Sequence, residues 1–327
     1  MTAVAFSDDP RDFVKRDWND LVAADPAGTI FHTPQFLKLY WEEFGEGELL
    51  LGFGEEGDRQ NAAVALEVRG PRVRFLGGTE ITDYLGPVGE PTAVEGFAAS
   101  LWAGLAERGW TEADLRGLAE DSPWLPALRA AAEARGLSVE QAEDRNGVAP
   151  GLDLPDSWEG YLAALPAKHR HEIRRKAKKL EAETGPFTIE TATDDTLSSF
   201  LDRFVELHRM SEGPKGVFMV PGMEIFFRRL AEELLPTGVF RLTFIRVAGL
   251  LAAGTIGFVH RGTYSLYNSA FDRRWQQLAP GMVLVAEDIR QAIAEGCRRF
   301  DLLKGDYAYK YRFGARPRAV RRLVVRR

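Results

Sequence analysis

Six residues near the end of the chain combine side chains and spacing that suit phosphate binding. Gln276 to Gly281 read Gln-x-x-Ala-x-Gly, and from Pro280 the apolar residues recur at steps of three and four, which predicts a helix that ends near Gly296. The first turn of a helix leaves backbone N–H groups unpaired and carries the positive end of the helix dipole. This start therefore predicts a pyrophosphate site, the alternative being a plain connection between a strand and a helix.

A second candidate for chemistry is the cationic segment 168–179, which holds seven Lys or Arg and one Glu. Its apolar stripe is narrow, formed by Ile173, Ala177 and Leu180, so a broad cationic face remains. The segment 310–327 adds eight Lys or Arg and no acid, whereas the whole chain has a net charge of −6. We expect a localised anionic ligand rather than indiscriminate binding to nucleic acid. The predicted contacts on the first segment are Lys168, Arg170, Arg174 and Lys178.

Short strands must position the phosphate loop. Three β-rich segments joined by glycine turns come before it, at 241–247, 254–260 and 263–271. Connections this short make the three strands antiparallel neighbours, because a parallel crossover needs a dozen or more residues. A further strand, 299–303, follows the helix.

The loop in this setting resembles the pyrophosphate loop of the GNAT superfamily of N-acyltransferases, whose pattern is Gln/Arg-x-x-Gly-x-Gly/Ala. Ala279 departs from that pattern, since glycine is usual there. Three islands resemble more narrowly the tandem acyltransferases grouped as CelD-like and Fem-like. They are Thr82-Asp83-Tyr84, the segment 168–179, and Lys304 to Phe313.

The resemblance implies acetyl-CoA or another acyl-CoA as cosubstrate. It assigns five residues to the cofactor, namely Phe271, Gln276, Ala279, Gly281 and Met282. It also implies an anionic small-molecule acceptor, contacted by the four cations of the segment 168–179 and by a second set of residues. That set is Asp83, Tyr84, Lys304, Lys310 and Arg312.

Catalytic roles also come from the resemblance. Asp306, with Asp272 behind it, is the candidate that takes the proton of the attacking amine, and Tyr309 is the candidate that protonates the leaving sulfur. Each has a structural alternative. Asp306 follows Gly305, where an aspartate often caps a helix, and Tyr309 can pack its ring while its hydroxyl meets water.

The first half of the chain repeats the order of elements seen in the second half. Segments 49–53, 61–68 and 72–76 predict strands, followed by a loop at 82–91 and a helix at 93–108. The loop has no Gln-x-x-Ala-x-Gly equivalent. We therefore expect an α/β (α+β) fold of two GNAT-like modules, each a mixed, mostly antiparallel sheet flanked by helices. Residues 1–150 form the module without a cofactor loop, and residues 151–327 the module with the acyl-CoA site.

Composition excludes several other classes. A chain of 327 residues favours two domains, and no apolar run reaches the ~18 residues of a membrane span. The first residues show no secretion signal, so a cytoplasmic protein is expected. Cys297 is the single cysteine, which rules out an internal disulfide, and His169 and His171 are spaced for different faces of a helix. No metal is predicted.

The sequence therefore predicts an N-acyltransferase that moves an acyl group, in the first instance acetyl, from acyl-CoA to an amine of an anionic, sugar-linked acceptor. One alternative is a Fem-like enzyme of the cell envelope, in which aminoacyl-tRNA is the donor and a peptidoglycan precursor the acceptor. Another is a non-catalytic protein that binds an envelope polysaccharide precursor or a partner protein.

Overall fold

The computed structural model describes residues 3–15, 17–57, 59–78, 80–211 and 214–327, without the side chains of residues 3, 15, 214 and 215. The chain divides into two compact units. The first unit consists of Met1–Val148 together with Arg318–Arg327, and the second unit is Ala149–Pro317. The predicted division at residue 150 lies close to this one, but the last ten residues join the first unit, where the sequence had placed them with the second.

The first unit, within the described residues, contains both strands and helices. In chain order they are β1 Ala3–Ser7, α1 Asp12–Lys15, α2 Trp18–Ala24, α3 Pro34–Phe44, β2 Glu48–Glu56, β3 Arg59–Arg69, β4 Arg72–Phe75, β5 Val88–Gly89, α4 Val94–Ala106, β6 Glu112–Ala119, α5 Trp124–Glu133 and β7 Ser138–Val148.

The second unit follows with a longer helical section before its main strands. Its elements are β8 Gly151–Asp153, α6 Trp158–Ala164, α7 Ala167–Thr184, β9 Thr188–Thr191, α8 Leu197–Arg209, α9 Pro214–Phe218, α10 Pro221–Leu234, β10 Phe240–Val247, β11 Leu250–His260, β12 Thr263–Phe271, α11 Pro280–Ala294, β13 Arg299–Asp301 and α12 Ala308–Tyr311. The chain then returns to the first unit as β14 Ala319–Arg326.

The sheet of the first unit has the order β1-β2-β3-β4-β6-β14-β7, with β5 paired to β3. Neighbours are antiparallel except β4 and β6, which run parallel. Aromatic residues of α4 and α5 fill the core on one face of the sheet, among them Phe97, Trp102 and Trp124. The Trp102 indole donates a hydrogen bond of 2.9 Å to the Leu128 carbonyl, which satisfies its buried N–H.

Strand β14 shows that the arginines near the C-terminus are paired with acidic residues. Its arginines pair with acids on the neighbouring strands, for example Arg322 with Asp114 at 2.6 Å and Arg326 with Glu112 at 2.9 Å. Cross-strand pairs of this kind stabilise a solvated sheet face. The predicted second anion-binding patch is therefore largely neutralised inside the first unit.

The sheet of the second unit has the order β8-β13-β12-β11-β10-β9. Strands β10, β11 and β12 are antiparallel neighbours as predicted, and β13 runs parallel to β12. Side chains of α11 pack with those of β10 and β11, as in the cluster of Val283 and Leu284 with Ile245 and Ala253. Phe200 of α8 packs on Phe244, which points away from that cluster, so helices cover both faces of the sheet.

Two mixed sheets flanked by helices confirm the predicted fold class. Ser157 caps α6, accepting a hydrogen bond from the Gly160 backbone at 3.1 Å. No helix in the described ranges combines the length and the apolar character that a bilayer crossing requires.

Candidate functional site

A fork between two strands is the first element of the candidate site. Strand β13 pairs with β12 at Thr263, Tyr264 and Ser265, after which the two strands diverge. Strand β12 continues to Phe271, so 266–271 has no strand partner on that side among the described residues. The gap is lined by a free strand edge, and backbone N–H and C=O groups along a free edge are available to a ligand.

The start of α11 is the second element. Ala279 has the left-handed backbone conformation, with φ 52° and ψ 50°, and its N–H donates back to the Trp275 and Gln276 carbonyls at 3.2 Å each. Pro280 has no N–H, and the Met282 N–H donates to the Ala279 carbonyl at 3.0 Å. The Gly281 N–H is therefore the donor in this first turn that the described residues leave free.

Gly281 also faces open space. A Cβ built on it would meet no heavy atom within 4 Å. The described residues therefore leave open space beside this first turn, where the positive end of the helix dipole favours an anion. The left-handed backbone explains the glycine that is usual at position 279, because alanine pays about 1 kcal/mol there.

The predicted cofactor residues are spread over this corner of the second unit. Phe271 ends β12 and is partly exposed, and Gln276 is exposed on a 3₁₀ helix, Arg273–Leu278. Met282 is half-buried and packs on the core beside α11. All of them lie in the segment 271–282, which leads from the end of β12 into α11.

The cationic helix α7 lies beside the same corner. The Lys179 ammonium donates to the Gln277 carbonyl at 3.4 Å, and Leu180 is buried with Leu278 and Val283. Five cations of α7 make no hydrogen bond or ion pair with any described residue. They are Lys168, Arg174, Arg175, Lys176 and Lys178.

The other predicted cations have partners. The Arg170 guanidinium donates to the Leu162 carbonyl at 3.2 Å, and Arg312 pairs with Glu172 of α7 at 3.2 Å. Lys310 does not fit the predicted role of acceptor contact. It is 2% exposed, and its ammonium donates to the Leu303 and Lys304 carbonyls at 2.7 and 3.0 Å, so it holds a backbone turn.

Asp306 is exposed and accepts a hydrogen bond from the Tyr311 hydroxyl. This bond raises the pKa of Tyr311 to about 12. Helix α12 begins after Tyr307 without a side-chain cap, so the structural alternative for Asp306, a helix cap, is not what the structure contains. Sequence reasoning missed Tyr311, although the alternation of Tyr307, Tyr309 and Tyr311 was visible.

Tyr309 packs its ring on the core and stacks on Tyr307, with centroids 6.3 Å apart. Burial raises the pKa of Tyr309 to about 12, so the hydroxyl stays protonated at neutral pH. Such a group can donate a hydrogen bond or a proton, and it is a poor base.

Asp272 has a different role from the catalytic one considered for it. The carboxylate is fully buried, accepts the Arg274 backbone N–H at 3.0 Å, and pairs with the Arg274 and Arg203 guanidinium groups at 2.6 and 3.2 Å. The Arg274 side chain in particular lowers the pKa of Asp272 to about 2. A carboxylate so stabilised caps the 3₁₀ helix and has little tendency to take a proton.

Asp83 and Tyr84 belong to the first unit. Tyr84 is buried, and the Arg318 guanidinium lies 5.0 Å above its ring. Asp83 is half-buried in the loop that follows Thr82, whose hydroxyl donates to the Gly77 carbonyl at 2.6 Å. The packed ring expected as the alternative is therefore present.

Comparison with known proteins assigns most of the second unit to a domain family. Residues 167–311 match the model of the acetyltransferase (GNAT) domain. The second unit carries a GNAT domain. The predicted resemblance to this superfamily is thereby confirmed, and the domain belongs to a family of transferases that use acyl-CoA in general.

Three solved structures share the fold over nearly the whole chain. FemX is 9% identical, with 98% of this chain and 96% of that chain covered and a TM-score of 0.69. The C-terminal domain of a putative lysylphosphatidylglycerol synthetase from Agrobacterium fabrum is 14% identical, with 98% and 92% covered and a TM-score of 0.61. A tandem GNAT protein from the clavulanic acid biosynthesis pathway is 14% identical, with 98% covered in both chains and a TM-score of 0.51. At such identities the likeness concerns the fold, and it supports the tandem, Fem-like arrangement. No curated protein sequence matches the chain.

Among the described residues, no group of three or more His, Cys, Asp or Glu side chains is placed to hold a metal ion. Cys297 is buried between α11 and β13, and burial raises the pKa of its thiol. Such a thiol behaves as a small apolar side chain.

Proposed function

We propose that the protein is an N-acyltransferase that transfers an acyl group, in the first instance acetyl, from acyl-CoA to an amine of an anionic acceptor. The observation that carries the proposal is the fork between β12 and β13 next to the open Gly281 N–H. A pantetheine arm fits along the free edge 266–271, while the diphosphate meets the start of α11.

The free edge of β12 also supplies donors to the thioester carbonyl. Backbone N–H groups alternate in direction along a strand, so those of 266–271 that do not face β11 are directed into the gap. The Asn268 side chain accepts one N–H of this segment, that of Ser269, at 2.8 Å. Donors fixed in position stabilise the negative charge that develops on the carbonyl oxygen.

Proton transfer falls to Asp306 and Tyr309. The amine nitrogen attacks the thioester carbon, the C–S bond breaks, and the amine proton passes to Asp306 directly or through one water. The Tyr309 hydroxyl gives a proton to the departing sulfur, and solvent returns a proton from Asp306 to the tyrosinate. Tyr311 donates to one carboxylate oxygen of Asp306 and leaves the other for this exchange.

The cations of α7 support an anionic acceptor. Lys168 and Lys178 are ten residues apart, so they lie roughly 15 Å from each other along the helix axis. A row of that length exceeds one phosphate and suits an acceptor with two or more negative groups, such as a sugar-linked diphosphate. Arg174 lies between them. A cytoplasmic location, where acyl-CoA is at hand, belongs to the same proposal.

A Fem-like aminoacyl transfer is the second candidate, and the same five unpaired cations favour it. An extended cationic helix suits the phosphate backbone of a tRNA as well as a smaller polyanion. In that case aminoacyl-tRNA replaces acyl-CoA at the fork.

Thermal unfolding with acetyl-CoA, CoA and an aminoacyl-tRNA preparation in parallel tests both candidates. A ligand at a hundred times its dissociation constant adds about 2.7 kcal/mol to the free energy of unfolding. We expect stabilisation by acetyl-CoA and CoA, and release of free thiol when acetyl-CoA meets an amine acceptor.

Each outcome separates the candidates. Stabilisation by the tRNA preparation alone favours aminoacyl transfer. Stabilisation by none of the ligands, with no thiol released, favours a non-catalytic protein that binds a polysaccharide precursor or a partner.

A further inference from the structure

Three polar side chains are buried together under the fork. Asp288 of α11 is 1% exposed, Tyr264 of β12 is 3% exposed, and Thr255 of β11 is 1% exposed. Asp288 belongs to the packed face of α11. It lies four residues after Leu284 and four before Ala292, both fully buried, and this spacing puts it on the packed face.

Tyr264 connects three strands. Its ring stacks on Phe300 of β13, with centroids 4.8 Å apart and planes 4° apart, next to the last residue pair before the fork opens. On the other side it crosses β11 above Gly257, where an added Cβ would lie 2.6 Å from the tyrosine hydroxyl oxygen. The absence of a side chain at Gly257 allows the hydroxyl to reach towards Thr255, two residues along the same face of β11.

The oxygens of Asp288 and Tyr264 are unusual for their lack of partners, whereas the Thr255 hydroxyl donates to the Thr243 carbonyl at 3.5 Å. Neither carboxyl oxygen of Asp288 nor the Tyr264 hydroxyl forms a hydrogen bond of good geometry with a described residue. The Thr255 hydroxyl is the polar group beside both of them. Buried polar groups without partners are rare in proteins and point to a functional or strained site.

Asp288 is uncharged at neutral pH. Burial raises its pKa to about 8, the Glu287 carboxylate beside it on α11 acts in the same direction, and the Thr255 hydroxyl opposes them. The pKa of Tyr264 is well above its usual value, because of burial first and then of Asp288. The other charged groups that act on Tyr264 are Arg241 of β10 and Glu295, which follows α11.

We propose that Asp288 is a positioning residue for the acyl donor, because its carboxylic acid form keeps Tyr264 seated on Phe300 and thereby sets the width of the fork between β12 and β13. The proposal rests on the proposed function, since the fork is where the pantetheine arm would lie. When the acid ionises, a charge without a cationic partner appears in the core, and solvation of that charge requires α11 and the fork to separate.

The affinity for acetyl-CoA should therefore fall as pH rises, following the ionisation of the single carboxyl group of Asp288. The protonated fraction of a group with a pKa near 8 falls about tenfold from pH 7 to pH 9. Wild-type affinity should fall by about the same factor. Asp288→Asn, which keeps the size and removes the charge, should show little change. Glu287→Gln, one position along α11, is the matched control. It should keep the pH dependence of the wild type with a midpoint at slightly lower pH, because the Glu287 carboxylate helps to raise the pKa of Asp288.

Hydrogen exchange provides a second readout that needs no ligand. Peptides covering β12 and β13 should exchange faster at pH 9 than at pH 7 in the wild type, after correction for intrinsic rates, and equally in Asp288→Asn. If the asparagine variant does not fold, wild type and Glu287→Gln alone decide, because both must loosen at the fork above pH 8.

Equal pH profiles of affinity in wild type and Asp288→Asn would overturn the positioning role. A corrected hydrogen-exchange rate at the fork that is the same at pH 7 and pH 9 in the wild type would also overturn it. If acetyl-CoA binds at no pH, the proposed function fails, whereas the exchange experiment still decides whether Asp288 controls the fork.

Discussion

The two units build their sheets by the same scheme, yet they differ at the corner where the candidate site of the second unit lies. In the first unit β2, β3 and β4 are antiparallel and β6 runs parallel to β4. In the second unit β10, β11 and β12 are antiparallel and β13 runs parallel to β12. The difference lies in what happens beyond the parallel pair.

Strand length is the first difference. Strand β12 runs six residues past its last pair with β13, whereas β4 ends two residues past its last pair with β6. A free edge long enough for an extended ligand therefore exists beside β12 and not beside β4.

The start of the following helix is the second difference. Before α4, an added Cβ on Gly89 would lie 2.5 Å from the Asn61 carbonyl oxygen, and Glu90 pairs with Arg59. Before α11, Gly281 faces open space. The common fold thus supplies the frame, while a longer strand and an uncovered helix start distinguish the corner that holds the candidate site.

An acidic side chain at the start of α11 should remove the proposed anion-binding site, which is the feature that distinguishes the second unit from the first. Gly281→Asp places a carboxylate where the diphosphate would bind, and we expect the affinity for acetyl-CoA to fall more than a hundredfold by charge repulsion. The fold should persist, because an acid in the first helical turn is favourable. Calorimetric titration measures this, and Thr92→Asp before α4 is the counterpart that should leave affinity unchanged. Unaltered affinity in Gly281→Asp would place the ligand elsewhere.

Removal of the proposed base should affect turnover and spare binding. Asp306→Asn is expected to lower kcat about a hundredfold with little change in the KM for acetyl-CoA, since general-base catalysis contributes about that much or more. Steady-state thiol release gives both constants. Glu120→Gln, which alters the acid after β6 in the first unit, should keep full activity. A mutant Asp306→Asn with normal kcat would leave Asp306 as a partner of Tyr311 alone.

The buried acid of α11 should make the stability of the second unit depend on pH. The usual pKa of an aspartate is 3.8 and the folded value about 8, so between them the native state holds a proton that the unfolded chain has lost. Stability therefore falls as pH rises through this window, by up to about 1.4 kcal/mol per pH unit. Denaturant unfolding of wild type and Asp288→Asn from pH 5.5 to 8 measures the difference. A constant difference between the two proteins would contradict a neutral native Asp288.

The smallest expected effect concerns backbone strain. Ala279→Gly should raise the free energy of unfolding by about 1 kcal/mol, because glycine adopts the left-handed conformation without the penalty of a Cβ. Gly109→Ala in the first unit, with φ 73° and no neighbour near its Cβ, should lower it by a similar amount. Thermal unfolding reports both. Destabilisation by Ala279→Gly would mean that the methyl group has a packing role.

Local patterns predicted the frame of the site well. The three antiparallel strands and α11 follow from β-branched runs, glycine turns and the step of three and four residues. The burial of Asp288 and Lys310 did not follow, because a single charged residue on a helix or turn reads as exposed until its neighbours in space are known. Lys310 was predicted to contact the acceptor. Its ammonium instead binds carbonyl groups six and seven residues earlier in the chain, in a turn that the sequence pattern does not predict.

Strand β14, the last in the chain, was not predicted from the sequence for a related reason. The segment Ala319–Arg326 carries three arginines, which suggested an anion site, and the acids that pair with it lie near residues 112–140. Pairing across nearly two hundred residues leaves no local signal.

That distant pairing has a consequence for biosynthesis. Strand β14 lies between β6 and β7, so a ribosome must complete the whole second unit before the first sheet receives its inner member. At about 5–20 residues per second, the early half of the polypeptide waits many seconds with two strand edges uncovered. Those uncovered edges are a binding site for a chaperone during translation. The second unit can complete its fold before the first unit, although it is synthesised later.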